Sequence, residues 1–176
     1  GFTCDVILPA SHDTGSAYMA VPARDGQAAY LSSGTWSLLG TELDGPVVTE
    51  KARLSGFTNE GGYQGKIRLL RNIMGLWMLQ CIRWELNGQY SFAEMAEMAL
   101  QGAAYPCTVD AMDNRFLAPE NMTAEIKAAL REAGSPEPAS LPELMACVNR
   151  SLAKCYADGV RELSILTGKT YTSLNI

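Results

Sequence analysis

The first 71 residues carry short apolar runs that are separated by turn-forming residues. The runs are CDVILPA (4–10), SAYMAVPA (16–23), AAYLSSGTWSLLG (28–40) and GKIRLLRN (65–72). Short runs rich in β-forming residues and bounded by glycine, proline or aspartate predict strands. Asp25-Gly26 predicts a hairpin turn, because glycine supplies the positive φ that a tight turn needs. Residues 1–71 are therefore predicted to form a mostly antiparallel sheet.

After Asn72 the apolar residues recur with a period of about 3.6, which predicts helices. The first predicted helix stops at Gly88 and has one apolar face, formed by Ile73, Leu76, Trp77, Gln80, Cys81 and Trp84. Ser91 and Glu94 have the spacing of a capping box and open a second helix, which is predicted to end at Gly102. The apolar stripe of that helix comprises Phe92, Met95, Ala96 and Ala99.

Two more helices are predicted beyond an irregular stretch at residues 103–120. The first of them ends at Gly134 and has apolar positions at Met122, Ile126 and Leu130. After the linker GSPEPAS, Ser140 and Glu143 form a second capping-box pattern and open the longest helix, which Gly168 closes. Its predicted inner face is Leu141, Leu144, Met145, Val148, Leu152, Cys155, Tyr156, Val160, Leu163 and Leu166.

Strands, then helices, then the start of another strand at 172–176 indicate an α/β domain with α+β character, in which helices pack against a sheet. At 176 residues the chain is long enough to bury the core of one domain. The expected parts are a strand-rich segment at 1–71, a helical segment at 72–168 and the new strand. The chain opens without Met in an apolar run and closes on YTSLNI. We therefore expect residues 1–176 to be a single partial domain of a longer protein.

Composition and charge exclude several classes of function. The net charge is −5 and Lys and Arg do not cluster, which argues against a nucleic-acid partner. No apolar run approaches the roughly 20 residues that span a bilayer, and no signal-peptide pattern is present. The five cysteines lack C-x-x-C spacing, and one histidine offers no zinc ligand cluster. We expect a cytoplasmic protein with buried, reduced thiols and no metal site of its own.

The segment PASHDTGSA (9–17) holds the only histidine, beside an aspartate and a glycine. Gly15 permits a sharp turn beneath Asp13. Asp13 is then a candidate general base, with His12 and Thr14 as hydrogen-bond partners for a polar substrate. In the alternative interpretation, Asp13 only hydrogen-bonds its own backbone in a turn, as aspartate commonly does. The spacing alone leaves both interpretations open, and Ser16 is expected to be structural.

The segment SSGTWS (32–37) combines small and hydroxyl residues. Small residues allow backbone N–H groups to approach a phosphate, and Thr35 adds a hydroxyl beside Gly34. The same residue types also occur in ordinary hairpins, so this signal is weak by itself.

The segment TNEGG (58–62) has a similar composition. Gly61-Gly62 permit a close backbone approach, Asn59 supplies an amide, and positive charge follows at Lys66 and Arg68. A solvated hairpin is the plain alternative here as well.

Missing motifs exclude several reaction classes. Neither G-x-x-x-x-G-K-[ST] nor G-x-S-x-G occurs, which excludes a P-loop and a nucleophile elbow. The sole histidine adjoins its carboxylate, which does not suit a Ser-His-Asp triad. DTGS (13–16) is the motif of half an aspartic protease site, but that site needs two carboxylates and strands where this chain predicts helices. A non-catalytic sensor or scaffold stays an alternative, and binding without turnover would distinguish it.

Taken in order, HDTGSA (12–17), AAYLSSGTWSLLG (28–40), TNEGG (58–62) and RLLRNIMGLWMLQ (68–80) resemble the second domain of the FGGY carbohydrate kinases. The resemblance covers nearly the entire chain. It implies an actin-like ATPase architecture, in which two RNase-H-like domains close around a cleft that holds ATP and Mg²⁺. This chain would lack the first domain, with most of the sugar contacts, and a glycine-rich nucleotide loop after Ile176.

The resemblance also implies a role for each candidate residue. Asp13 is the implied proton acceptor for the primary hydroxyl of the sugar, and the implied substrate contacts are His12, Asp13, Thr14 and Asn59. The implied nucleotide contacts are Gly34, Thr35 and, in its neighbourhood, Ile67. The implied reaction transfers the γ-phosphate of ATP to the 1-hydroxyl of L-rhamnulose, with L-fuculose or xylulose as the alternative ketose. The chain alone is expected to be inactive.

Overall fold

The computed structural model describes residues 2–6, 13–21 and 27–176. Within these ranges the helices are α1 (Asp13–Ala20), α2 (Glu50–Leu54), α3 (Trp77–Glu85), α4 (Phe92–Gln101), α5 (Met122–Glu132) and α6 (Leu141–Thr167). The strands are β1 (Ala28–Ser33), β2 (Ser37–Leu43), β3 (Phe57–Gly61), β4 (Ile67–Ile73) and β5 (Ser173–Asn175). Short 3₁₀ turns lie at Tyr63–Gly65 and Asn114–Phe116.

The chain divides into two compact units. The first unit comprises residues 1–32, 38–72 and 160–176, and it holds most of the sheet together with α1, α2 and the end of α6. The second unit comprises residues 33–37 and 73–159, and it holds α3, α4, α5 and most of α6. The single partial domain expected from the sequence stays a prediction.

The five strands form one sheet in the order β3-β4-β2-β1-β5. β3 and β4 are antiparallel, with Phe57 opposite Arg71, and β1 and β5 are parallel, with Ala28 opposite Ser173. The strands that the sequence predicts at 65–72 and 172–176 are confirmed, and so is the α/β class. The run at 28–40 forms β1 and most of β2, with a turn between them. Gly40 lies in the middle of β2, where a Cβ atom would overlap the backbone of Leu69 on β4. Only glycine permits these two strands to approach so closely.

The prediction of a strand at residues 16–23 is wrong. Asp13–Ala20 forms α1 instead, and the helix buries Thr14, Gly15 and Tyr18. Residues at positions i, i+1 and i+4 share one face of a helix, and the run Ala17 to Ala20 lacks the alternation of a half-buried strand. The sharp turn predicted at Gly15 is therefore replaced by the first turn of a helix. The predicted hairpin at Asp25-Gly26 and most of the CDVILPA run lie outside the described residues.

Two apolar clusters hold the first unit together. The larger cluster joins the sheet to α2 and α6 through Ala29, Ala52, Phe57, Leu69 and Leu163, all buried. The smaller cluster joins α1 to β1, where the rings of Tyr18 and Tyr30 lie 4.5 Å apart between centroids. Burying a Leu or Phe side chain stabilises a fold by about 1.5–3 kcal/mol. These clusters therefore fix α1, and with it Asp13, against the sheet.

The predicted helices of the second unit are present, with two differences in detail. The Ser91–Glu94 capping box is confirmed, whereas the predicted box at Ser140 is only half formed. Ser140 Oγ accepts the N–H of Glu143 at 3.4 Å, but Glu143 accepts the N–H of Ala139 and not that of Ser140. In α3 the buried residues are Met78, Leu79, Cys81 and Ile82. Of the predicted face, Cys81 is indeed buried, but Trp84 is exposed, and Ile73 is the last residue of β4 and does not belong to the helix.

The cysteines are free thiols, as predicted, but not all are buried. Cys81, Cys147 and Cys155 are buried, Cys107 is partly buried and Cys4 is exposed. Burial raises the pKa of Cys147 to about 11, which keeps that thiol protonated and unreactive near neutral pH. Among the helices of the described ranges, none is long and apolar enough to cross a membrane.

Candidate functional site

Asp13 is the first residue of α1 and is exposed, while Thr14 behind it is buried. The backbone N–H of Thr14 donates to Asp13 Oδ1 at 2.7 Å, and Thr14 Oγ1 lies 3.4 Å from the same oxygen. Both contacts orient the carboxylate at the start of the helix. His12 lies outside the described residues, so its predicted contact with a substrate stays a prediction.

Gly34, Thr35 and Trp36 form the turn between β1 and β2, which belongs to the second unit. The N–H of Gly34 donates to the carbonyl of Trp36 at 3.1 Å and closes the turn. The carbonyls of Gly34 and Thr35 accept the N–H groups of Leu76 and Trp77, each at 3.0 Å. The first N–H groups of a helix have no partner within the helix. Here the turn supplies those partners at the start of α3.

This arrangement fixes the direction of two other N–H groups. In a planar trans peptide the C=O and N–H bonds point in opposite directions. Because the carbonyls of Gly34 and Thr35 both point at the start of α3, the N–H groups of Thr35 and Trp36 both point away from it. Both residues are exposed, and neither N–H has a hydrogen-bond partner among the residues that the structure describes. We call these two N–H groups the amide pair.

The amide pair has the properties of an anion site. Successive N–H groups that point the same way form a concavity that attracts phosphate or carboxylate oxygens. The hydroxyl of Thr35 lies on the same residue and is likewise exposed. Trp36, the next residue, is 45% exposed. This geometry favours the phosphate interpretation of SSGTWS over a plain hairpin.

Three residues to which the sequence assigned no part in the candidate site surround the turn. Ser37 is fully buried, and its Oγ lies 2.8 Å from the hydroxyl of Tyr156 on α6. Gly75 has a φ of +55°, and a Cβ there would lie 2.6 Å from Ser37 Oγ and 2.8 Å from the carbonyl oxygen of Gly34. Ser37 and Tyr156 are 119 residues apart. No local pattern could have revealed their contact, although the isolated Gly75 before a helix was a usable signal.

Asn59 lies on β3 in the first unit, and its amide is engaged by the backbone of Val47. Asn59 Oδ1 accepts the N–H of Val47 at 2.9 Å, and Asn59 Nδ2 donates to the carbonyl of Val47 at 3.0 Å. An amide group has two donor hydrogens and two acceptor lone pairs. One donor and one acceptor site of Asn59 therefore remain for a ligand.

The basic residues after TNEGG serve the fold. Lys66 forms an ion pair with Asp44, and the buried Arg68 pairs with Glu60 at 3.0 Å. Arg71 pairs with Glu162 at 2.7 Å. Each cation therefore has a carboxylate partner, and the positive charge expected from the sequence is largely neutralised. Ile67 begins β4 opposite Gly61 and is half-buried.

The predicted residues fall into two groups. Asp13, Thr14, Asn59 and Ile67 belong to the first unit, while Gly34 and Thr35 belong to the second. Within the described part of the chain, no group of three or more His, Cys, Asp or Glu side chains is arranged to hold a metal ion.

Among solved structures, the fold is similar to that of xylulose kinase from Bifidobacterium adolescentis. The TM-score is 0.58 at 16% sequence identity, with 91% of this chain and 30% of that chain covered. At such low identity the similarity concerns the fold alone. It agrees with the expected RNase-H-like, actin-like ATPase architecture.

Curated relatives are much more similar in sequence. Rhamnulokinase from Halalkalibacterium halodurans is 46% identical over 176 residues, which is 100% of this chain and 37% of the relative. Rhamnulokinase from Oceanobacillus iheyensis is 47% identical over 163 residues, or 93% of this chain and 34% of the relative. Rhamnulokinase from Klebsiella pneumoniae subsp. pneumoniae is 45% identical over 174 residues, or 97% and 35%. The chain thus spans about a third of the length of these relatives.

The family profile for the C-terminal domain of the FGGY family of carbohydrate kinases matches residues 29–176. The match includes β2 and all of β1 except Ala28, as well as Asn59 and the whole of the second unit. It covers well over half of the chain, and the sequence resemblance drawn from residues 12–80 is confirmed. This chain belongs to the FGGY family of carbohydrate kinases, of which it carries the C-terminal domain region.

Proposed function

We propose that this chain is the C-terminal part of an ATP-dependent kinase that phosphorylates the 1-hydroxyl of L-rhamnulose. The products are L-rhamnulose 1-phosphate and ADP, which places the reaction in rhamnose catabolism. The observation that carries this substrate assignment is the similarity to rhamnulokinases, at 46% identity along the whole chain. Another ketose, such as L-fuculose or xylulose, is the alternative substrate.

The amide pair supports phosphoryl transfer as the reaction. Phosphoryl transfer requires in-line positioning and stabilisation of phosphate charge more than covalent chemistry by the protein. Two backbone N–H groups already directed outward can bind phosphate oxygens without reorganisation. We therefore assign the N–H groups of Thr35 and Trp36 to the phosphates of ATP, while Gly34, whose own N–H and carbonyl are both used within the protein, would allow the phosphates a close approach to the backbone. Ile67 is proposed to meet the nucleotide through its neighbourhood.

Asp13 is the proposed general base. Its carboxylate accepts the proton of the sugar hydroxyl as the oxygen of that hydroxyl attacks the γ-phosphorus of ATP, and ADP leaves with the electrons of the broken P–O bond. The bond from Thr14 N to Asp13 Oδ1 at 2.7 Å holds the carboxylate in one orientation. His12, Thr14 and Asn59 are the proposed sugar contacts, and Asn59 offers the amide hydrogen and lone pair that Val47 does not use.

The proposed reaction uses ATP together with Mg²⁺. Mg²⁺ is usually bound by one or two carboxylates together with nucleotide phosphates. We assign no Mg²⁺ ligand to this chain. The metal, when bound with ATP, would neutralise phosphate charge.

The proposed partner is the N-terminal kinase domain, which would carry most of the sugar contacts. The proposed location is the cytoplasm, where ATP is available.

The direct test is sugar-dependent ADP release by the full-length protein, compared with its Asp13→Asn variant. We expect L-rhamnulose to stimulate ADP release, and the variant to lose about 10²–10⁴-fold in kcat because it lacks the base. L-fuculose and xylulose serve as competing substrates in the same assay. A higher kcat/KM for either of them would overturn the rhamnulose assignment and leave the kinase assignment standing.

Two other results would contradict the proposal more deeply. If the full-length protein binds sugar and ATP but shows no turnover, a non-catalytic sensor is the better description. If Asp13→Asn retains full kcat, Asp13 is not the base. The 176-residue chain, purified alone, is expected to release no ADP in response to L-rhamnulose, because most of the sugar contacts lie elsewhere.

A further inference from the structure

The amide pair is directed outward by contacts from residues far away in the sequence. We propose that Gly75 and Tyr156 are positioning residues for ATP: they hold the Gly34–Trp36 turn so that the amide pair faces the phosphates. This inference rests on the proposed function, because it assumes that the amide pair binds ATP. Neither residue needs to touch the nucleotide.

Gly75 acts because it has no Cβ, which leaves room for the Gly34–Trp36 turn and Ser37 to pack against it. The carbonyl of Gly34 and the N–H of Ser37 would each lie 2.8 Å from a Cβ at this position. Because no Cβ is present, the turn can approach close enough for its two carbonyls to accept the N–H groups of Leu76 and Trp77 at 3.0 Å. Those two hydrogen bonds set the direction of the amide pair. A side chain at position 75 would push the turn away and rotate both N–H groups.

Tyr156 acts on the other end of the turn. Its hydroxyl lies 2.8 Å from Ser37 Oγ, and Ser37 directly follows Trp36. Ser37 is fully buried and Tyr156 is half-buried, so competing water reaches this contact only from the Tyr156 side. Burial raises the pKa of Tyr156, and the neutral hydroxyl is therefore retained throughout the physiological range. Tyr156 and Gly75 thus restrain the same serine, one by a hydrogen bond and one by close packing.

The test is steady-state kinetics and nucleotide binding with the full-length Tyr156→Phe variant, which removes one hydroxyl. Losing one hydrogen bond changes an equilibrium by about three- to tenfold. We expect KM for ATP to rise by about that factor, while kcat and KM for the sugar change less than about twofold. The Kd of adenosine should stay unchanged, because adenosine has no phosphate for the amide pair to bind.

Two further variants keep the test decisive. Ser37→Ala should raise KM for ATP as Tyr156→Phe does, and the double variant should add nothing beyond the larger single effect. The control is Tyr105→Phe, which removes another tyrosine hydroxyl of the second unit, one that donates to the carbonyl of Pro136. This control should lower stability in urea without changing KM for ATP.

The outcomes separate this inference from the proposed function. If Thr35→Val raises KM for ATP but Tyr156→Phe and Ser37→Ala do not, the positioning role is wrong and the phosphate site stands. If Thr35→Val also has no effect, the proposed phosphate site itself fails. Equal loss of ATP and adenosine affinity in Tyr156→Phe would indicate a general structural defect and would overturn the positioning role.

Discussion

The Gly34–Trp36 turn and the Asn59 segment look alike in sequence but differ in what they leave unpaired. Both are short, polar and glycine-flanked. At the turn, the carbonyls are bonded to the start of α3 and the N–H groups of Thr35 and Trp36 have no partner in the described part of the chain. At β3, the side-chain amide of Asn59 is bonded to both backbone groups of Val47. The turn therefore offers two backbone N–H groups to a ligand. The Asn59 segment offers only the side-chain donor and acceptor that Val47 does not use.

The difference shows that composition does not determine the chemistry of a polar loop. What matters is which hydrogen-bonding groups the fold has already used. Changes at the turn should therefore act on phosphate binding, whereas changes at Asn59 should act on stability and sugar binding together.

The largest expected effect comes from Gly75→Ala. A positive φ at alanine costs about 1–2 kcal/mol, and the overlap with Ser37 and Gly34 adds about 1–3 kcal/mol. The matched control is Gly134→Ala, whose φ is +67° but whose Cβ would meet nothing within 4 Å. Urea unfolding should show a clearly larger loss for Gly75→Ala. ATP turnover should fall in that variant alone, and equal losses in the two variants would contradict the close packing at Gly75.

Thr35→Val should come next, with an effect confined to ATP. A hydrogen bond to a charged group contributes about 1.5–3 kcal/mol, so KM for ATP should rise by roughly ten- to a hundredfold. Thr35 is exposed and its hydroxyl has no partner among the described residues, so the free energy of unfolding should not change. Thr35→Ser keeps the hydroxyl and should behave like the unchanged protein. A loss of affinity in Thr35→Ser would point to the methyl group instead.

Asn59→Asp should have a smaller and different effect. The substituted carboxylate still accepts the N–H of Val47, but its second oxygen faces the carbonyl of Val47. Because these groups are exposed, the loss in the free energy of unfolding should be about 1 kcal/mol. KM for the sugar should rise and KM for ATP should not. Asn72→Asp, at an exposed site on β4, controls for the added negative charge. A rise in KM for ATP in Asn59→Asp would contradict the functional difference between the turn and the Asn59 segment.

The smallest expected effect is on the pH dependence of stability. Burial raises the pKa of Tyr156 above its ordinary value of 10.0. Above about pH 10 the unfolded chain loses this proton first, so stability falls as the pH rises further. Tyr156→Phe removes the contribution. Between about pH 8 and pH 10.5, the variant should therefore lose less stability in urea than the unchanged protein. An equal loss would mean that burial does not raise the pKa of Tyr156 in the folded protein.

Much of the fold could be predicted from local pattern. The capping box at Ser91 and the apolar spacing of α5 and α6 are local signals, and they were sufficient to predict these helices. The strand expected at 16–23 was wrong because four consecutive residues from Ala17 to Ala20 carry no period that separates strand from helix. The buried face of α3 was misjudged because the boundary between β4 and the helix lies within an apolar run.

The candidate site was only partly predictable for a similar reason. Thr35 and Asn59 were found from composition and resemblance, but the hydrogen bonds that distinguish them join distant segments. The contact between Ser37 and Tyr156 and the partners of Lys66, Arg68 and Arg71 are tertiary. No sequence pattern records which donors and acceptors they use.

The most direct test of the central claim is a crystal structure of the full-length protein with L-rhamnulose, Mg²⁺ and a non-hydrolysable ATP analogue. We predict that a phosphate oxygen lies within about 2.7–3.2 Å of the backbone nitrogens of both Thr35 and Trp36. Phosphates bound elsewhere, with the amide pair facing water or another segment of the protein, would contradict the account.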